Sequence, residues 1–269
     1  MKKNKLNVHE FWNKSSCGED LYLKGSTQKE SFINQSITRY ILEPYILNFA
    51  GFNNYKNKKV LEIGLGLGAD HQKFAESGAN LYGVDLTEKS IMNVRDRLKV
   101  FNLKSKISLG DAEKLIFEDD FFDLVYSWGV IHHSPQTEDA VDEIYRVLKK
   151  GSEAKIMIYN KYSLVGFMLW IRYSLLKCNF SITLDEIYSK YLESPGTKAY
   201  TKNQAFELFK KFKEVKIKTV LTHADLLSSK AGQRHEGFIL SIARKLYPRF
   251  IFKIFFKKFG LFMMINVIK

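Results

Sequence analysis

A run of glycines followed by a carboxylate is the pattern with the clearest chemical meaning in this chain. Residues 60–68 read V-L-E-I-G-L-G-L-G, which places glycines at positions 64, 66 and 68 after an apolar segment. Glycine lets the backbone approach a ligand closely, and a helix that follows offers N–H groups without partners. Asp85 comes 17 residues after Gly68, and a carboxylate at that point can accept both hydroxyls of a ribose. The spacing therefore indicates a cofactor that contains a nucleoside.

The glycine turn alone leaves two cofactors open. Gly64, Gly66 and Ala69 also fit the dinucleotide pattern G-x-G-x-x-G/A, so NAD(P) competes with S-adenosylmethionine at this point. The rest of the chain has to decide between them.

The segments that would carry these residues alternate between strands and helices. The apolar patterns predict strands over 59–63, 80–84, 106–109, 122–127 and 153–159, and helices over 69–77, 88–101 and 137–149. This order requires right-handed crossovers and a parallel sheet with helices on both faces. Glu62, Asp85 and the end of the fourth strand would then lie at the carboxyl edge of one sheet.

The segments before residue 59 and after residue 160 lack this alternation of strands and helices. Residues 31–50 have helical spacing with a break near Pro44, and Thr201 with Gln204 forms a capping-box pattern that begins a helix to about residue 212. A strand is predicted over 215–221, and residues 261–268 are predicted to insert antiparallel at the edge of the sheet. We expect lid helices over 1–58, a cofactor-binding core over 59–160, substrate-cap insertions over 161–200 and 222–257, and the remainder of the sheet over 201–221 and 258–269.

Composition and charge narrow the class of protein. The chain has 269 residues, 45% of them hydrophobic and 26% charged, which is an ordinary globular composition. No run approaches the roughly 20 apolar residues that span a bilayer, and no secretory signal is visible, so we expect a cytoplasmic protein. Cys17 and Cys178 lie far apart and match no metal spacing, so we expect neither a disulfide nor a metal site.

The net charge of +13 is concentrated at the two ends. Residues 1–59 carry +5, residues 60–221 carry +1 and residues 222–269 carry +7. Such ends could attract an anionic substrate, a membrane surface or nucleic acid. Arg249, Lys253 and Lys257 form a basic stripe on an otherwise apolar segment. That segment could lie in a membrane interface or form a dimer contact, but we expect a helix packed on the sheet.

The chain resembles the class I S-adenosylmethionine-dependent methyltransferases, the broad group that includes the ubiquinone-type C-methyltransferases. The matching segments occur in family order and spacing over residues 59–160: V60-L-E-I-G-L-G-L-G68, Y82-G-V-D85, G110-D-A-E-K-L-I-F117, F122-D-L-V-Y-S127, H132-H133 and Y145-R-V-L-K-K-G151. Nothing comparable links the chain to dehydrogenases. The resemblance implies a Rossmann-like, seven-stranded, mostly parallel sheet with helices on both faces, an antiparallel last strand and helical cap insertions.

The resemblance also implies roles for individual residues around S-adenosylmethionine and its product S-adenosylhomocysteine. Gly64, Gly66 and Gly68 would wrap the methionine part, with Glu62 supporting the turn. Asp85 would hold the ribose, Leu86 would lie beside the adenine, Asp111 and Ala112 would contact the adenine nitrogens, and Ser127 and Trp128 would border the methionine and the substrate. Ile116 and Ser152 stand where the family usually has proline and glycine, in positions that should not affect the chemistry.

The catalytic and substrate-binding residues are predicted less directly. His133 is the best candidate for a general base and His132 is second, although a structural role for the pair is an equal alternative. The polar stretch 193–200 is a further candidate region for the acceptor. The candidate acceptor-binding residues are Trp12, Tyr22, Arg39, Tyr40, Tyr159, Asn160, Tyr162, Tyr200, His223 and Arg234.

These observations favour methyl transfer to a small or carrier-linked metabolite. We expect O-methylation of a sugar-type or phosphorylated acceptor, because the basic ends suit an anion. The alternatives are a tRNA or rRNA methyltransferase, methylation of a lipid-linked acceptor at a membrane surface and, last, an NAD(P)-dependent oxidoreductase. We do not expect nucleic-acid binding, since no N/D-P-P-Y/F motif follows the fourth strand and no RNA-binding module is evident. Peripheral membrane contact is compatible with the tail, and the protein could be a monomer or a homodimer.

Overall fold

Seven strands form one sheet in the order β3-β2-β1-β4-β5-β7-β6. The structure, a computed structural model, describes residues 3–16, 18–19, 23–229 and 244–269. The strands are β1 Lys59–Ile63, β2 Asn80–Asp85, β3 Lys106–Leu109, β4 Phe122–Trp128, β5 Leu148–Tyr159, β6 Glu214–Val220 and β7 Phe262–Ile268. Strands β1 to β5 pair in parallel, and β7 runs antiparallel to both β5 and β6. The predicted fold class is therefore confirmed.

The described helices lie between the strands and at the two ends of the chain. They are α1 Lys3–Lys14, α2 Gln28–Leu42, α3 Tyr45–Ala50, α4 Ala69–Glu76, α5 Glu88–Val100, α6 Thr137–Val147, α7 Leu164–Tyr173, α8 Leu184–Ile187, α9 Lys202–Leu208 and α10 Arg249–Phe255. The predicted break at Pro44 separates α2 from α3, and the Thr201 capping box begins α9. No described helix has both the length and the apolar character needed to cross a bilayer.

Both faces of the central strands are buried, which explains their continuous apolar sequence. Leu61 and Ile63 of β1 pack into one apolar cluster, whereas Val60 packs into the cluster on the opposite face. Leu124 and Val125 of β4 divide between the two clusters in the same way, because successive side chains in a strand point to opposite faces. The sheet is therefore a middle layer whose carboxyl edge is free to form a site.

Two expectations about the end of the chain are wrong. Strand β7 lies between β5 and β6 rather than at the edge of the sheet, so β6 is the edge strand. Helix α10 does not pack on the sheet, since none of its residues is buried. In this region the residues of β7 that enter the core are Met263, Ile265 and Val267. Helix α10, which precedes β7, lies at the surface.

Arg97 of α5 fastens the N-terminal helix α2 to the central layer. Its side chain is fully buried. One terminal nitrogen donates hydrogen bonds to Ser36 and Gln72, both at 2.9 Å, and the other donates to the side chain of Gln35. Burial of a guanidinium is costly unless its donors find acceptors, and both terminal nitrogens find them here, although Nε has no partner among the described residues. The cluster therefore ties α2 to α4 and α5.

Arg97→Met should lower the free energy of unfolding by about 2–4 kcal/mol, because Gln35 and Gln72 would keep their burial and lose their donor. Urea denaturation of the variant against the wild type measures this. The exposed Arg95 on the same helix is the matched control, and Arg95→Met should change stability by less than about 0.5 kcal/mol. Equal midpoints for the two variants would show that the buried cluster does not hold α2.

Candidate functional site

A cavity of about 310 Å³ opens at the carboxyl edge of the sheet, a size typical of small-molecule sites. Its walls include the glycine turn after β1, Asp85 at the end of β2, and Trp128 at the end of β4. Helix α1 and residues 222–224 also contribute to its walls. In this sheet the strand order reverses between β1 and β4, because successive strands are added on one side of β1 and then on the other. The crevice at such a switch point is the usual place for a ligand in open α/β sheets.

The glycine turn needs glycine for two different reasons. At Gly64 a Cβ atom would lie 2.1 Å from the side chain of Val130, so packing excludes any larger residue. At Gly66 the backbone has φ +51°, and a Cβ atom would meet no atom within 4 Å. Since Gly66 lines the cavity, its bare backbone leaves open space there.

The carboxylate of Asp85 holds the glycine turn in place. One oxygen accepts the N–H of Leu65 at 2.7 Å and, more weakly, the N–H of Gly66 at 3.4 Å. The other oxygen accepts the N–H and the hydroxyl of Thr87 at 2.9 and 2.7 Å. Asp85 is buried yet lines the cavity. It therefore shapes the site as well as facing it.

Glu62 and His71 form a buried pair beneath the turn. Nδ1 of His71 lies 2.8 Å from the carboxyl of Glu62, and Nε2 lies 2.8 Å from the hydroxyl of Ser105, which donates to the carbonyl of Leu81. Burial raises the pKa of Glu62 well above its ordinary value and lowers the pKa of His71 to about 3. Burial thus disfavours the charged form of both groups.

Asp70, in the first turn of α4, is the centre of a second polar cluster. It accepts two hydrogen bonds from Arg39, at 3.0 and 2.7 Å, and one each from the hydroxyls of Tyr40 and Tyr126. Burial opposes ionisation of Asp70, but the charge of Arg39 and these donors hold its pKa below the ordinary value. Glu43 lies 3.3 Å from the same guanidinium. Burial raises the pKa of Glu43 to about 7.

Helix α1 closes the end of the cavity that contains Asp111, the residue predicted from the sequence to contact adenine. Lys5 donates a hydrogen bond to Asp111 at 2.6 Å and a second one to Glu113. Asn13 accepts the N–H of Lys89 at the start of α5. Val8 and Trp12 of α1 line the cavity. The N-terminal helix is thus tied across the site by contacts at both of its ends.

His133 lies on the opposite wall, between hydroxyls and a carboxylate. Its Nδ1 is 2.9 Å from the hydroxyl of Ser194 and 3.0 Å from that of Thr197. The Thr197 hydroxyl donates to the carbonyl of Ser194. Nε2 lies 3.3 Å from the carboxylate of Glu193, which also accepts the hydroxyl of Tyr159 at 2.7 Å. The two ring nitrogens therefore face different groups, hydroxyls at Nδ1 and a carboxylate at Nε2.

His132, His133 and Glu193 form the group of described residues that could hold a metal ion, since one ligand atom of each lies within 4.8 Å of the others. His132 is fully buried, and neither of its ring nitrogens has a hydrogen-bond partner among the described residues. Burial and the neighbouring imidazole lower the pKa of His132 well below its ordinary value. The neutral ring packs against Tyr159, with ring centres 4.1 Å apart.

The cavity brings together most of the residues singled out from the sequence. Its walls include Trp12, Arg39, Glu62, Gly64, Gly66, Gly68, Asp85, Leu86, Asp111, Ala112, Trp128, His133, Tyr159 and His223. The predicted residues that do not line it are Tyr40, Ser127, His132, Asn160, Tyr162 and Tyr200. Tyr22 and Arg234 lie outside the described residues.

The residues away from the wall have physical reasons for their places. Ser127 and Trp128 are neighbours in one strand, so only one of them can face the cavity, and Ser127 is fully buried. The amide of Asn160 donates to the carbonyls of Tyr162 and Gly260 and fastens the chain after β5. The Tyr162 side chain is exposed.

Some wall residues had no role assigned from the sequence. Lys5 and Asp70 contact partners 30 to 108 positions away in the chain, and no local spacing indicates such pairs. Glu43 is four residues from Arg39, a spacing that does predict an ion pair on a helix. Glu193 belongs to the polar stretch 193–200, which sequence analysis named without a partner.

The central part of the chain matches a known family. Residues 61–155 match the family described as "Methyltransferase domain". The chain is 34% identical over 113 residues to phosphoethanolamine N-methyltransferase 2 of Caenorhabditis elegans, a match that covers 41% of this chain and 26% of that protein. It is 31% identical over 137 residues to sterol 24-C-methyltransferase of Saccharomyces cerevisiae, covering 50% and 34%. The chain thus spans about a quarter to a third of these curated relatives.

Solved structures share the fold over nearly the whole chain. A S-adenosylmethionine-dependent methyltransferase of Thermotoga maritima, described as a possible histamine N-methyltransferase, aligns with a TM-score of 0.55 at 19% identity, covering 97% of this chain and 99% of that one. Phosphoethanolamine N-methyltransferase 2 of Haemonchus contortus, in complex with phosphomonomethylethanolamine and S-adenosylhomocysteine, aligns with a TM-score of 0.59 at 16% identity, covering 97% and 60%. At these identities the likeness establishes the fold.

Glu43→Gln should stabilise the protein relative to the wild type, and more so as the pH rises from 4.5 to about 7. Burial raises the folded-state pKa of Glu43 from 4.5 to about 7, so the folded wild type binds the extra proton and loses stability as that proton leaves. The gain should approach the order of 3 kcal/mol above pH 7. Urea denaturation across this pH range measures it, with Glu118→Gln, at an exposed site, as the control. A difference that does not vary with pH would contradict the assignment.

Proposed function

We propose that the chain is a class I S-adenosylmethionine-dependent methyltransferase, with S-adenosylmethionine as cofactor and S-adenosylhomocysteine as product, and that it methylates an oxygen of a small or carrier-linked molecule. The observation that carries the proposal is the position of the matching residues 61–155. Their glycine turn and two of their strand-end carboxylates, Glu62 and Asp85, line one cavity.

The residues present fit the cofactor. The space over Gly66 is open, which suits close approach by the methionine part. Asp85 and Asp111 offer carboxylates at the ends of β2 and β3, where the ribose and the adenine would be held. When bound, the cofactor supplies an electrophilic methyl group on a cationic sulfur. Apart from Glu43 and Glu62, whose pKa values burial raises, four carboxylates and two cations lie in the described walls, and such a wall favours a cationic ligand.

The same charges bear on the acceptor. The two cations of the described walls are Lys5, paired with Asp111 and Glu113, and Arg39, paired with Asp70 and Glu43. Neither cation is left for a phosphate or carboxylate of the acceptor. The part of the acceptor that enters the cavity is therefore expected to carry no negative charge, and any anionic part of a sugar-type or phosphorylated acceptor would lie beyond these walls.

His133 is the group proposed to take the acceptor's proton. A hydroxyl must lose its proton as it is methylated, which calls for a base near the acceptor. With its proton on Nδ1 and donated to the hydroxyl of Thr197, 3.0 Å away, the ring would have Nε2 free to accept one. The carboxylate of Glu193, 3.3 Å away, would stabilise the resulting imidazolium. The apolar side chains of Trp12, Met157 and Val165 in the same cavity would exclude water.

Gly66→Ala should weaken binding of S-adenosylhomocysteine at least tenfold, because the added methyl would project into the cavity. Isothermal titration calorimetry of S-adenosylhomocysteine with the wild type tests the proposal itself, and we expect a saturable site. Gly151→Ala is the matched control: Gly151 also has positive φ, at +76°, and open space at its Cβ position, but it does not line the cavity.

Absence of S-adenosylhomocysteine binding by folded wild-type protein would reject the function. Equal losses in the two alanine variants would instead trace the effect to backbone strain. NAD(H) in the same titration, and tRNA as methyl acceptor, test the two competing classes of enzyme.

His133→Asn should lower methyl transfer by about 10²–10⁴-fold while S-adenosylhomocysteine binds within twofold of the wild type. Asparagine keeps an N–H for Thr197 but has no basic nitrogen. Transfer of labelled methyl groups to a panel of sugars, sugar phosphates, lipid-linked sugars and amines provides the measurement. Unchanged transfer in the variant would show that His133 has a structural role.

A further inference from the structure

Helix α10 and the turn after it expose an unusual amount of apolar side chain. Leu246, Phe250 and Phe255 are 76%, 75% and 74% exposed. The described surface to which they belong, called here the basic-aromatic surface, has the apolar members Leu246, Phe250, Ile251, Ile254, Phe255 and Phe259 and the basic members Lys245, Lys253, Lys257 and Lys258. Large apolar side chains grouped in this way mark an interaction site.

The other side of α10 is already used to hold the helix. The hydroxyl of Tyr247 donates to the carbonyl of Asp225, and the guanidinium of Arg249 donates to the carbonyls of Leu226 and Leu227. The ring of Phe252 stacks on Tyr247 with centres 4.6 Å apart.

Helical geometry separates these anchors from the exposed residues. At 100° per residue, Phe250, Ile251, Ile254 and Phe255 fall within an arc of about 140°. Arg249 and Phe252 lie outside this arc, on the opposite part of the helix. The arc that remains is therefore available to a partner.

The charge of this segment identifies the chemistry of that partner. Residues 244–269 contain seven basic residues and no acidic one. The four lysines of the surface form no ion pair with a described residue. Exposed aromatic and aliphatic side chains bordered by lysines suit an interface with anionic lipid, where each cation near the surface contributes about 1 kcal/mol. A second copy of the chain is disfavoured, because a self-contact would bring like charges together.

We propose that the basic-aromatic surface docks the protein on an anionic lipid bilayer. The surface is joined to the cavity through Asp225, whose carboxylate accepts the N–H groups of Val165 and Leu261 at 3.2 and 2.8 Å. Both of these residues line the cavity. Docking by α10 would place the lipid beside the segment around Asp225 that joins α10 to this end of the cavity. This goes beyond methyl transfer, because binding to lipid requires neither cofactor nor acceptor.

The test is sedimentation of the full-length protein with lipid vesicles. The wild type should bind vesicles of phosphatidylcholine mixed with phosphatidylglycerol, bind pure phosphatidylcholine at least tenfold more weakly, and lose affinity as salt rises. Phe250→Ser with Phe255→Ser should lower binding at least tenfold, and Lys253→Gln, Lys257→Gln and Lys258→Gln together should do the same. Met92→Ser with Ile116→Ser removes two apolar side chains exposed elsewhere, 61% and 73%, and should leave binding unchanged.

Three results would overturn the proposal. The first is that the wild type binds neither kind of vesicle. The second is that the Phe250 and Phe255 double variant binds as tightly as the Met92 and Ile116 control. The third is a wild-type dimer, seen by light scattering, that the Phe250 and Phe255 double variant dissociates, which would make the surface a self-interface. S-adenosylhomocysteine binding, measured in every variant, reports folding and keeps this outcome separate from that of the proposed function.

Discussion

The hydrogen bonds that Asp85 accepts are the constraint on which the site depends. A buried carboxylate must be satisfied by donors, and Asp85 finds them in the backbone of the glycine turn and in Thr87. These bonds tie the end of β2 to the turn that leaves β1. The turn consequently cannot collapse onto the sheet, and the backbone of Gly66 faces open space. A single side chain therefore links sheet register, turn geometry and the shape of the cavity.

Burial moderates the acidic character of the cavity. It raises the pKa of Glu62 well above its ordinary value and that of Glu43 to about 7. Asp70 stays ionised because Arg39 lies against it. The site can thus hold many carboxylates next to one another without the full cost of their repulsion. It remains complementary to a cationic sulfur, which is the property that methyl transfer requires.

The two sides of the cavity differ in how they are built. The side proposed for the cofactor includes strand ends and the glycine turn within residues 59–112. The side proposed for the acceptor includes loops from distant parts of the chain, with His133 and Glu193. Lys198 fastens these loops together by donating to the carbonyls of Ser134 and Pro135. Such loops can vary without disturbing the sheet, which explains why a shared domain does not identify the acceptor.

The sequence by itself determined the strands, the crossover order and the carboxylates at the carboxyl edge, because alternation, glycine positions and caps are local properties. Most predicted boundaries agree with the structure to within one or two residues, although β5 begins five residues before the predicted strand. Only the tertiary structure decided that β7 lies inside the sheet, that α10 remains at the surface, and that Lys5 meets Asp111 across 106 positions. The hydroxyls that contact His133 likewise lie more than 60 residues away in the chain. These features depend on which distant segments meet in space, and no local spacing encodes that.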